Sequence, residues 1–178
     1  MRLVAVVIGA ALMGCASFDP GVPTRLPDAD WAVGASLGVT WDEAKDPLRG
    51  GGLVGVDASF LEDVFGLHAG LRLQREGRGT RLSGLVEATA WYLVLFGVGA
   101  RVGGLVADAG EDIPERTAEL TFLFALPIPV WRDCLERRGA LVVMPYARPG
   151  LRFLGGREDR IRGVHELGIS LRWTSFSF

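Results

Sequence analysis

The chain has 178 residues and a formal net charge of −2, with 49% apolar residues, 25 glycines, 5 tryptophans and 2 cysteines. That length fits a single core, the near-neutral balance excludes the basic stripe that nucleic acid requires, and two cysteines exclude a disulfide framework. The basic residues are almost all arginine, with Lys45 the only lysine; this mixture suits short, tightly packed strands better than a soluble globule.

Met1-Arg2 is a short basic head and Leu3 to Met13 an apolar run. The run falls short of the ~20 residues that span a bilayer, so residues 1–15 read as a secretory signal. Leu12-Met13-Gly14-Cys15 resembles the lipobox of bacterial lipoproteins, which implies acylation at Cys15; Met13 is bulkier than that pattern prefers. Gly14-Cys15-Ala16 also offers small residues for ordinary cleavage after Ala16, which would remove Cys15. Residues 16–30, with Asp19-Pro20-Gly21, Pro23 and Pro27, read as a periplasmic linker without periodicity.

From Trp31 the period is two. Trp31, Val33, Ala35, Leu37, Val39 and Trp41 alternate with Ala32, Gly34, Ser36, Gly38 and Thr40. The pattern returns at residues 54–60, 65–74, 81–92, 96–106, 117–126, 141–153 and 166–174, and no helical period interrupts it. Eight such segments are eight half-buried strands. An all-β chain must hide its sheet edges, and closure into a barrel hides them completely. Residues 31–178 are therefore expected to form one all-β, eight-stranded, antiparallel up-and-down barrel. Polar, Gly-bearing connections (42–50, 75–79, 107–116, 154–162) alternate with tight turns near residues 62–64 and 93–94, and with a longer turn over 127–138. One end of the barrel is thus decorated and the other plain.

The polar face decides which side looks inward. It carries glycine and serine with Arg72, Arg81, Arg101, Arg148, Arg152 and Arg172 interleaved with Asp57, Glu87, Glu119 and Glu166. A solvated sheet face avoids glycine, whereas a narrow lumen needs small residues, and any charges in it must pair. The bulky apolar face then points outward to lipid. Trp31 and Trp41 share that face; at ~3.3 Å per residue and a tilt of about 40° they lie about 25 Å apart, the height of a membrane barrel's apolar band. Trp31, Trp91, Tyr92, Trp131 and Trp173 are expected to form an interface girdle at the end carrying the termini, with Trp41 at the other.

Strand count and alternating loop lengths resemble the OmpA/OmpX type of small outer-membrane barrel over Trp31–Phe178, which implies the transmembrane barrel fold and an outer-membrane location in Gram-negative cells. The C-terminal Phe178, with Phe176 two positions before, resembles the terminal signal read by barrel-assembly machinery. Phe176 and Phe178 are even-numbered while the apolar set on 167–173 is odd, so a bulge or twist is expected between them.

Candidate chemistry is sparse. His68 lies on the small-residue face beside Arg72 and reads as a lumenal hydrogen-bonding group. His165-Glu166 lies near a loop; lipid A deacylases pair His and Ser two positions apart, but Leu167 occupies that place here. Cys134 is an isolated thiol on a turn whose Arg137-Arg138 reads as solvated. Gly97 to Gly103 has glycines at period two inside a strand and no following helix, which rejects a phosphate loop. No metal-ligand spacing occurs and no cofactor is implied. The expectation is a non-enzymatic envelope protein with a structural or interaction role, whose partners are outer-membrane lipids, the assembly machinery and other envelope proteins. The alternatives are a lipid-anchored periplasmic lipocalin-like barrel with an apolar, ligand-binding interior, and a lipid-modifying barrel enzyme.

Overall fold

A computed structural model describes residues 30–43, 51–62, 64–76, 79–91, 94–107, 116–132, 139–153 and 161–175. Cys15, Tyr92, Cys134, Phe176 and Phe178 lie outside them. The strands are β1 (Asp30–Asp42), β2 (Gly51–Glu62), β3 (Phe65–Glu76), β4 (Gly79–Trp91), β5 (Leu95–Ala107), β6 (Arg116–Ala125), β7 (Ile128–Arg132), β8 (Ala140–Phe153) and β9 (Ile161–Thr174). Each pairs antiparallel with its neighbour, β1 closes on β9, and β6 closes on β8. The nine segments make eight staves, because β6 and β7 follow one another along the same flank of β8.

That continuation corrects the turn expected over residues 127–138. The strand runs on through Arg132, and across the join the Leu126 N–H donates to the Pro145 carbonyl at 3.0 Å. Since the Leu126 N–H faces β8, those of residues 127 and 129 would face away from it. Pro127 and Pro129 occupy those two positions, so their missing donors fall on the flank of β7 that no described strand covers. Gly139 precedes β8 at φ +138°, where an L side chain is strained and a Cβ would strike the Thr174 carbonyl.

The pairing fixes the barrel's dimensions. From Trp31 the register passes through Phe60, Leu67, Ala88, Val98 and Phe122, continues through Pro149 and His165, and returns to β1 at Trp41, ten residues along. For eight strands ~4.7 Å apart, this stagger tilts the strands about 40° and sets the wall about 8 Å from the axis. Such an interior holds side chains and little else.

Alternation then sorts the residues. Every odd residue of β6 from Thr117 to Ala125 is buried. Outside, Leu37, Val56, Leu71, Val102 and Ile169 are each more than half exposed. Large apolar side chains on the outer face and buried polar ones inside are the arrangement of a membrane barrel, the reverse of a soluble one. The lipocalin-like alternative is thereby corrected: the interior is charged where that reading needs it apolar and open.

Candidate functional site

The lumen is the candidate site, because it concentrates the chain's buried polar chemistry. All ten charged residues singled out from the sequence point inward and are buried. The small residues of the same face make room for them. An added Cβ at Gly70 would lie 2.8 Å from the Arg72 guanidinium, and one at Gly168 would lie 2.6 Å from the Tyr146 hydroxyl.

Most of these charges join into one network. Arg148 donates from Nε and Nη2 to the two Glu87 oxygens (2.8 and 3.1 Å), and from Nη1 to Glu166 Oε1 (2.5 Å). Glu166 Oε2 accepts from Arg101 Nη1 at 2.6 Å, and Arg101 Nε donates to Glu119 Oε2 at 2.6 Å. Glu119 Oε1 accepts from Arg152 Nε at 2.7 Å. Thr121 donates to Glu87 at 2.9 Å, and the Arg148 guanidinium lies 5.1 Å from the centre of the Tyr146 ring. Arg72 pairs with Asp57 at 2.5 Å and stands 3.8 Å from Glu166, linking this branch to the next. Arg81 donates to Thr117 at 3.3 Å on the loop side.

The second branch contains a grouping that sequence reading missed. His68 Nε2 lies 3.3 Å from Asp57 Oδ1, and its Nδ1 shares a 3.0 Å hydrogen bond with Ser59 Oγ. Serine, histidine and aspartate thus stand in the order used by serine hydrolases. The surroundings differ from a hydrolase site, since Arg172 Nη1 donates to the same Ser59 Oγ at 3.1 Å, its Nε donates to Ser170 at 3.0 Å, and the three residues are enclosed by the wall. A nucleophile needs a place beside it for the reacting atom; here that place holds a guanidinium. Ser59 and His68 sit opposite each other across the β2–β3 turn, so this contact follows from the hairpin register. Arg172 is more than a hundred residues away, and only barrel closure brings it in.

The charges do not fill the whole lumen. Towards the end carrying the termini, Leu61, Trp91, Leu95, Leu123, Ala125, Met144 and Tyr146 form a buried apolar cluster. Trp91 is therefore corrected from the girdle to the interior, at 7% exposure. The inward residues of β4 are odd-numbered, and Trp91 keeps that parity. Outside, Trp31 and Trp131 are exposed near the termini end, Trp131 lies 5.5 Å from half-buried Trp173, and Phe60, Phe65 and Phe96 add an aromatic surface there. At the loop end Trp41 stacks on His165 at 5.3 Å, and His165 Nε2 meets Glu43 at 3.1 Å.

No protein-family model matches the chain, and no curated protein matches it in sequence. Among solved structures it is similar to Neisserial surface protein A (NspA): the TM-score is 0.55 at 11% identity, over 84% of this chain and 98% of that one. The fold is an outer-membrane-type barrel. At that identity the likeness to NspA concerns the path of the strands and no individual residue.

Proposed function

We propose that this chain is an exported protein of the Gram-negative envelope, seated in the outer membrane, with a structural or interaction role carried by its polar loops. The observation that supports it most is the polarity of the wall: an apolar belt faces outward, while the arginine–carboxylate network lies inside and shares the lumen with the apolar cluster near the termini. A filled lumen argues against a conducting pore, and the guanidinium at Ser59 Oγ argues against hydrolysis, which leaves loops and outer wall as the surfaces that meet partners. Outer-membrane lipids cover the belt, and Phe178 presents the terminal aromatic to barrel-assembly machinery. Acylation of Cys15 would add a second anchor on the periplasmic side.

The test is biochemical. The protein should remain with membranes through carbonate extraction, and unheated samples should migrate on a gel as a folded species that boiling converts. Release by carbonate would overturn the membrane reading. Labelled fatty acid should enter the wild type and not Cys15→Ser; absence of label in both would remove the lipoprotein part alone. An altered lipid A profile after gene deletion would favour a lipid-modifying enzyme.

A further inference from the structure

The eight seams of the barrel are unequal. The β1–β2, β1–β9, β2–β3, β3–β4 and β8–β9 ladders run without interruption. The seam between β6/β7 and β8 has two gaps in its pairing, and its register shifts once more between Pro129 and Trp131. Pairing holds over Ala118–Thr121 with Gly150–Phe153, resumes at Phe124–Ala125 with Tyr146–Ala147, and resumes again at Ile128 with Val143. The first gap lies opposite Pro149 and the second opposite Pro145.

Proline explains both gaps. The Pro145 carbonyl accepts from Leu126 across this seam, so on β8 the backbone groups of residue 145, and of 147 and 149 at the same parity, face β6/β7. Pro145 and Pro149 therefore each withhold the N–H that would have donated into this seam. In hydrocarbon no water replaces a missing wall hydrogen bond.

What lies behind the seam also changes along it. On the loop side Glu119 and Arg152 sit directly opposite each other across it and pair at 2.7 Å. Towards the termini the residues behind it are Leu123, Ala125, Met144 and Tyr146, apolar contacts without an ion pair among them. We infer that the barrel wall opens first along the β6/β7–β8 seam, from the end carrying the termini, at the step made by Pro145, and that the opening stops short of Pro149, where Arg148 holds Glu87 and Glu166 behind the seam. Opening there brings lipid acyl chains against the apolar cluster while the ionic network stays closed.

The experiment is amide hydrogen exchange on the full chain folded into phosphatidylcholine vesicles. Each absent bond shifts a local opening equilibrium by about fivefold. The amides of Phe124, Leu126 and Ala147, which face the seam, should exchange at least about fivefold faster than amides paired between β1 and β9. Pro145→Ala restores a donor and should slow exchange at those neighbours. A disulfide joining Phe124→Cys to Ala147→Cys, which are opposed on the outer face, should slow unfolding in urea more than one joining Ala35→Cys to Leu171→Cys across the closure seam. Equal or faster exchange in the β1–β9 seam, or an equal effect of the two cross-links, would overturn the inference.

Discussion

Two regions of the lumen solve the same packing problem with different materials. Near the termini, Trp91, Leu95, Leu123 and Met144 fill the space with hydrocarbon. From mid-barrel to the loops, and down the inner faces of β2, β3 and β9, arginines and carboxylates fill it instead. Hydrocarbon contacts are many, weak and non-directional, so removing one costs its own burial and the cavity it leaves. A guanidinium held by two carboxylates behaves otherwise, because its loss strands both partners in a space without water. The contrast predicts that single substitutions divide by region more than by residue size.

The largest effect should come from Arg148→Met. Arg148 holds Glu87 and Glu166 together, and removing one member of a buried ion pair costs about 3–5 kcal/mol. Urea unfolding in detergent or vesicles should show that loss. A change below about 1 kcal/mol would mean that the network contributes no more than a rim pair does. Leu123→Ala tests the other region. Leu123 is 1% exposed within the apolar cluster, and truncation should cost about 3 kcal/mol, with the barrel still folding and running as a compact species before heating.

These two positions also show how far the sequence could be read. Parity alone placed Arg148 in the lumen, because one polar residue among alternating apolar ones announces its face. Leu123 lies in the run Phe122-Leu123-Phe124, and Leu141-Val142-Val143-Met144 is apolar on both faces in the same way. In such runs composition no longer distinguishes lumen from lipid, which hides the apolar cluster; Trp91, by contrast, follows the strict odd parity of β4, and its inward side is legible from that alternation rather than from its residue type. Strand bounds were legible wherever alternation was strict. The seam at Pro145 and the meeting of Arg172 with Ser59 and His68 were not, since both depend on which strands become neighbours across the closed barrel.

Between the two regions lies Tyr146, whose ring reaches over β9 and β1. Gly168 and Gly38 are paired beneath it, and the backbone beside each approaches as closely as glycine permits. Gly168→Ala places a methyl against the Tyr146 hydroxyl and the Leu37 carbonyl. The ring must move, and overpacking of this kind should cost about 1–3 kcal/mol in the same unfolding assay. The companion variant Tyr146→Phe removes the hydroxyl, and adding it to Gly168→Ala should recover part of the loss. An additive double mutant would mean that the clash is with the wall alone.

The smallest effect is expected where the chemistry looks most like that of the lumen. Glu43 and His165 form a carboxylate–imidazole contact at 3.1 Å, as Asp57 and His68 do at 3.3 Å. His165 is also stacked on Trp41, and the Glu43 N–H donates to the Gly163 carbonyl at 3.0 Å. The difference is water: the Glu43 side chain is 63% exposed, whereas Asp57 is enclosed. Water solvates either partner when the other is removed, and the backbone bond to Gly163 does not depend on the side chain. Glu43→Ala should therefore cost less than about 1 kcal/mol, while Asp57→Ala, which strands Arg72 and His68 inside the wall, should fall in the range of Arg148→Met. Comparable losses at the two sites would show that the lumen is wet enough to screen its charges, and would remove the physical basis for treating its two regions differently.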